Sequence, residues 1–131
     1  MRANKRMRVA GITVAGLCVA GLSVAGGMAI AASSGSQAPY ARAGALVSAD
    51  GSVVHSKGVG GVTRSGHVFC VKISDADVDL SRAIVTATPR DGIGYTLRAV
   101  AGGCDNGKGV QVATYNANAN GTATAFYLAV H

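Results

Sequence analysis

"GHVFCVKI", residues 66–73, decides the fold. In an extended strand successive side chains point to opposite faces, so Phe69, Val71 and Ile73 share one side and Val68, Cys70 and Lys72 the other. The same period of two recurs in "AFYLAV", where Phe126, Leu128 and Val130 alternate with Ala125, Tyr127 and Ala129. In "GYTLRAV", Tyr95, Leu97 and Ala99 oppose Thr96, Arg98 and Val100. Three half-buried alternations of this kind argue for strands, and no stretch after residue 32 repeats with a helical period.

Turn chemistry separates the apolar runs. Asp50-Gly51, Ser65-Gly66, Asp91-Gly92, Asn106-Gly107 and Asn120-Gly121 punctuate the chain. Asn-Gly and Asp-Gly accept positive φ at both central positions of a type I′ hairpin turn, whose twist matches the flanking strands. The pattern predicts strands near 44–49, 52–57, 59–64, 67–73, 82–88, 94–101, 109–115 and 122–130. The expected class is all-β, an antiparallel sandwich or barrel of about 7–8 short strands.

Ahead of this domain lies a different kind of sequence. "MRANKRMRV" carries Arg2, Lys5, Arg6 and Arg8 without an acid, and an uncharged run of small and aliphatic residues follows to Ala32. A basic start, an apolar centre and a small-residue end are the parts of a helical secretory signal peptide, cleaved after Ala31 or Ala32. The run is also long enough to span a bilayer as a retained anchor. Residues 1–32 are therefore read as signal peptide, 33–43 ("SSGSQAPYARA") as flexible linker and 44–131 as a single domain. The expected location is secreted, with no membrane attachment once the leader is gone.

Removing the leader changes the charge argument. The whole chain is +6, yet four of its twelve basic residues lie in the leader and all six acids lie beyond it. What remains is eight basic residues against six aspartates, scattered rather than striped, so a nucleic-acid partner is not expected. The domain has no tryptophan and no glutamate, and it is rich in Gly, Ala, Val and Thr. Such a chain buries a thin core, to which a covalent staple would add much.

Cys70 and Cys104 are the two cysteines beyond the leader. In an oxidising compartment two thiols have a single intramolecular pairing, and closing that loop is worth roughly 3–4 kcal/mol. Intermolecular or free thiols, and catalysis or metal binding at Cys70, are the lesser readings. His67 is three residues from Cys70, so on a strand the two side chains point to opposite faces and the imidazole is a poor base for the thiol. Asp75, Asp77 and Asp79 open like a calcium loop. The glycine and glutamate such a loop requires at its sixth and twelfth positions are replaced by Leu80 and Thr86, which favours an acidic turn over a weak calcium site. His55, His67 and His131 lack metal-ligand spacing. Gly102, Gly107 and Lys108 mimic a phosphate loop, but Gly109 stands where a Ser or Thr is needed. Asn120-Gly121-Thr122 is formally a glycosylation sequon, but the leader's bacterial composition favours reading it as a hairpin turn. No catalytic, cofactor-binding or metal residue is assigned.

Four stretches together carry a resemblance: "ALVSADGS" (45–52), "GVTRSGHVFCV" (61–71), "GVQVATYN" (109–116) and "AFYLAV" (125–130). Across nearly the whole mature chain they are similar to a group of small, uncharacterised exported actinobacterial β-rich proteins. The shared elements are turn and strand residues, so the resemblance implies a fold and no chemistry, and no functional residue is carried over from it.

The reading that follows is an exported, non-enzymatic module that binds or decorates an extracellular or cell-envelope partner, with exposed sheet edges able to form homo-oligomers. Two alternatives belong to other classes. One is a secreted protease inhibitor presenting "TPRDGIGY" (88–95) with Arg90. The other is a small extracellular hydrolase gathering His55, His67 or His131 with a serine or aspartates.

Overall fold

Alternating apolar and polar residues settle into eight strands across residues 40–131, the part of the chain that this computed structural model describes. Residues 1–32, read from the sequence as a signal peptide, and most of the expected linker lie outside the described residues. The strands are β1 (Ala43–Val47), β2 (Val53–Lys57), β3 (Val59–Ser65), β4 (Val68–Ile73), β5 (Val85–Pro89), β6 (Thr96–Cys104), β7 (Gly109–Tyr115) and β8 (Phe126–Val130). They form two four-stranded sheets, ordered β2-β1-β8-β5 and β3-β4-β7-β6. Every ladder is antiparallel. The architecture is the sandwich of the two expected forms.

Between the sheets lies the core. Ala43, Ala45, Val47, Phe126, Leu128 and Val130 from the first sheet meet Phe69, Val71, Val110 and Val112 from the second. The alternations in β4 and β8 thus place their apolar sets as the sequence requires. Phe69 and Phe126, both without exposed surface, face each other edge-on across the layers, ring centroids 5.0 Å apart at 71°. That geometry suits the opposed charge of ring edge and ring face, which adds to the area each ring buries.

Several strand boundaries differ from expectation, three of them by three residues or more. β5 begins at Val85 rather than residue 82, because the Arg82 N–H turns back to the Asp79 carbonyl and Asp79 accepts the N–H and hydroxyl of Ser81. β8 begins at Phe126 rather than residue 122. Thr122 is held instead by Thr114, whose hydroxyl donates to the Thr122 carbonyl at 2.6 Å. β6 runs on to Cys104 through an irregularity between Ala101 and Cys104, where Gly102 has φ +73°.

Four of the five turn pairs fall between strands and the fifth, Ser65-Gly66, begins on the last residue of β3, but only Asn106-Gly107 has positive φ at both residues. At Asp50-Gly51, Ser65-Gly66 and Asp91-Gly92 the glycine alone is left-handed, and at Asn120-Gly121 the left-handed residue is Ala119. The first of these shows why. The Gly51 N–H donates to the Ser48 carbonyl, and the Ser48 N–H to the Ser52 carbonyl. The connection is thus longer than two residues, with the glycine following the turn proper, as in bulged hairpins. Asp50 locks it by accepting both the N–H and the hydroxyl of Ser52.

A single residue, Gly58, carries the chain from β2 in one sheet to β3 in the other. Its φ is +65°, and a Cβ there would lie 3.0 Å from the Arg42 carbonyl oxygen and 3.2 Å from the Ala43 side chain. Both the conformation and the space admit glycine.

Cys70 and Cys104 are joined. The bond stays within the second sheet, linking β4 to β6 over the top of β7, which lies between them. Strands two apart in a sheet are about 9.6 Å from each other, whereas these Cα atoms are 6.0 Å apart. The irregularity at 101–104 folds the end of β6 over β7 to close that gap. Beneath the strap is Gly109, where a Cβ would sit 2.7 Å from the Cys104 sulfur and 2.9 Å from that of Cys70. A disulfide of this kind belongs to an oxidising compartment.

Candidate binding face

The residues singled out from the sequence do not converge. His67 stands just ahead of β4, its ring 5.3 Å from that of Tyr115 and so close over Gly121 that a Cβ there would fall 2.5 Å from it. His55 is on β2 of the other sheet, and His131 follows β8, exchanging both backbone hydrogen bonds with Ile84. No hydrogen bond joins any of the three imidazoles to a serine or aspartate among the described residues. Cys70 is spent in the disulfide, on the outer side of the sheet, while Phe69 and Val71 face inward.

The acidic run is engaged as well. Asp75 accepts the Asp77 N–H at 2.9 Å, and Asp79 accepts two bonds from Ser81. The Arg42 guanidinium lies 3.8 Å from Asp75 and 3.4 Å from Asp77. These are the contacts of an acidic turn, and among the described residues no group of three or more His, Cys, Asp or Glu side chains is placed to hold a metal. Hydrogen bonds from Ser52 and Ser81 hold Asp50 and Asp79 below the usual carboxylate range. The glycine-lysine stretch forms a bulge and a 3-10 turn over Asp105–Gly107, and a strand rather than a helix follows.

In the loop from β5 to β6, Arg90 is held on three sides. Its Nε and Nη2 lie 2.9 and 2.8 Å from Asp91, which raises its pKa further, and its N–H donates to the Ala125 carbonyl. The apex is Ile93, 98% exposed between left-handed Gly92 and Gly94, with Gly92 lying against the Tyr95 ring.

A more coherent surface is the outer face of the first sheet. Pairing registers set two rows of side chains across all four strands. One row runs Thr88, Tyr127, Leu46, His55; the next runs Thr86, Ala129, Gly44, Lys57. The first row is tall, with Tyr127 48% exposed and Leu46 covered between Tyr127 and His55. The second has almost no side chain at its centre, and a Cβ at Gly44 would lie 2.9 Å from the Leu128 carbonyl oxygen. The result is a notch of about 230 Å³, bounded by His55, Thr86, Thr88 and Tyr127 and floored by Ala129.

Its polar groups are unspent. The His55 Nδ1 is buried without a hydrogen-bond partner, alone in this among side-chain polar atoms of the described residues. The hydroxyls of Thr86, Thr88 and Tyr127 make no hydrogen bond within the described fold. Lys57, at the end of the second row, is turned away and donates to the Ala41 carbonyl at 2.7 Å. The sequence set Tyr127 by alternation opposite Phe126, Leu128 and Val130, and marked His55 as a histidine without metal-ligand spacing. It did not bring them together, because they sit on strands joined only through β1.

Among the described residues no helix is long and apolar enough to cross a membrane. Comparison with protein-family models, with curated proteins and with solved structures finds no match to this chain.

Proposed function

We propose that the chain is an exported, non-enzymatic β-sandwich module that binds a component of the cell envelope or its surroundings through the outer face of the β2-β1-β8-β5 sheet. The observation that carries this reading is the notch on that face, where a row of polar side chains has no partner in the fold. Buried polar atoms normally find hydrogen bonds; the buried His55 Nδ1 has none, and the exposed hydroxyls of Thr86, Thr88 and Tyr127 beside it are open to a ligand. The basic-apolar-small leader, the resemblance to exported actinobacterial proteins and the disulfide support the location. The strap over β7 and the edge-on phenylalanine pair supply a stiff platform, which lowers the ordering cost of binding.

The test is retention of the exported chain on intact cell wall and on fractionated culture supernatant. Specific retention that is lost when bulky residues replace Thr88 and Ala129 supports the reading. A protein that stays in the cytoplasm, or that no envelope or medium fraction retains, overturns it.

A second reading, a secreted protease inhibitor, is favoured by the fully exposed Ile93 at the apex of the β5–β6 loop. Arg90, tied to Asp91, is less available than Ile93, so the reading would centre on an aliphatic-specific protease. Absence of inhibition at micromolar protein against trypsin-like, subtilisin-like and elastase-like enzymes ends it.

A further inference from the structure

We infer that the notch over Gly44 and Ala129 is a subsite for one ring of a neutral glycan, an inference that rests on the outer face of the first sheet being the binding face. Four features of the notch select this chemistry. The first is charge. His55, Thr86, Thr88 and Tyr127 bound the notch, no carboxylate lines it, and the one cation in its rows, Lys57, is drawn off to the Ala41 carbonyl. The other cation within reach of Tyr127, Arg90, is tied to Asp91, so a phosphate or a sulfated chain would have to compete for its counter-charge.

The second feature is the type of hydrogen bonding on offer. Hydroxyls of Thr86, Thr88 and Tyr127 each donate and accept, and an imidazole can do either at its two nitrogens. A polyol presents the same dual groups at close intervals, so each can be matched by rotation. An amide-rich peptide would instead seek the strand-edge pattern of fixed donors and acceptors, which the closed ladders of β1 and β8 do not expose.

Third is shape. The floor is Ala129, while Tyr127 rises beside it with nearly half its surface free. A ring set against Tyr127 would lay its apolar C–H face on that side chain, which offers an apolar body with a polar tip, and turn its hydroxyl edge toward Thr86 and Thr88. Fourth is size. At about 230 Å³ the notch falls below the roughly 300–1,000 Å³ of sites that enclose a drug-sized ligand. That volume suits one ring, with its neighbours in the chain lying outside the notch.

The experiment uses the full chain as an expressing host delivers it, with three variants: Ala129→Leu, which fills the floor; Thr86→Val with Thr88→Val, which removes two hydroxyls at constant shape; and Tyr127→Ala. The probes are insoluble chitin, cellulose, xylan and mannan, their soluble tetrasaccharides by calorimetry, and protease-treated and glycan-stripped envelope fractions. The expected result is retention on at least one neutral polymer and on the protease-treated envelope. Ala129→Leu and the double valine variant should each weaken it at least tenfold while leaving far-UV dichroism and the unfolding midpoint unchanged.

Retention on the glycan-stripped protein fraction alone overturns the glycan and leaves the binding module standing. Retention on neither fraction overturns both. Glycan binding that all three variants keep places the ligand elsewhere and overturns the subsite. A dimer in sedimentation that Ala129→Leu dissolves assigns the face to a second copy of the chain, which also overturns it.

Discussion

Gly109→Ala should be harmful in the oxidised protein and harmless once the disulfide is gone. The new Cβ would sit 2.7 and 2.9 Å from the two sulfurs, against an optimum of about 3.5–4.0 Å between carbon atoms, and sulfur is larger. Both sulfurs would have to retreat by about 1 Å, yet each is tethered to a strand flanking β7. The cost cannot exceed that of giving up the strap. For a sequence separation of 34 residues, chain entropy puts that ceiling at about 3.8 kcal/mol. We therefore expect a loss of about 2–4 kcal/mol, a large share of the roughly 5–15 kcal/mol that a domain commands. In a Cys70→Ala/Cys104→Ala background the sulfurs are absent and Gly109 is not left-handed. Alanine in a strand is then worth about 0.5–1 kcal/mol more than glycine, offset in part by Asp105, whose Cβ lies 3.2 Å away. Urea unfolding of the four proteins, followed by far-UV dichroism because the chain has no tryptophan, gives the coupling directly, and thiol alkylation reports whether the bond has formed. Equal cost in both backgrounds, or an oxidised Gly109→Ala protein with wild-type stability, would refute the reasoning.

Three further perturbations probe other parts of the fold. Phe126→Ala removes one of the two rings that meet across the sheets and should cost about 3–5 kcal/mol by denaturant unfolding. Ile93→Ser, on a side chain 98% exposed, should change stability by less than about 0.5 kcal/mol while abolishing any inhibitory activity of the loop. Ser52→Ala and Ser81→Ala each remove hydrogen bonds that hold Asp50 and Asp79 below the ordinary value of 3.8. A carboxyl with a depressed folded pKa stabilises above its unfolded pKa and loses that contribution as pH falls through the folded value. The gap in unfolding midpoint between wild type and the double serine variant should thus be present at pH 7 and close as pH drops below about 4; a gap that does not change with pH contradicts the assignment.

Local pattern carried much of this structure. Phe69 and Val71 lie inward, and Phe126, Leu128 and Val130 do the same, because period-two alternation acts through a single strand and needs no knowledge of its neighbours. The pairing of Cys70 with Cys104 was legible by count, since two cysteines leave one intramolecular connection. What the pair spans was not legible: that it arches over Gly109 depends on β7 lying between β4 and β6. The turn pairs marked the right places and the wrong geometry, because loop length, set by where the ladders end, decides which residue turns left-handed. The proposed binding face was hidden for a similar reason. Gly44 and Ala129 are adjacent in register yet separated by nearly the whole domain in sequence, and no local signal records that β8 lies between β1 and β5. Thr86 and Thr88 alternate visibly in "VTATP", but which face they join becomes apparent only with that pairing.

The crossing at Gly58 gives the sandwich a spine. On that side β2 and β3 are nearly one bent strand, so the two layers are joined covalently by a single stiff residue. On the far side β5 and β6 pass each other without sharing a ladder, and what keeps the layers closed there is packing together with the β5–β6 loop. A structure bound like this opens as a book does, from the fore-edge. Amide exchange should therefore be slowest in β1 and β4 and fastest in β5, where opening costs least. Thr86 and Thr88 ride on that edge strand, so a ligand seated in the notch would tie β5 to β8 within the first sheet and slow exchange in β5.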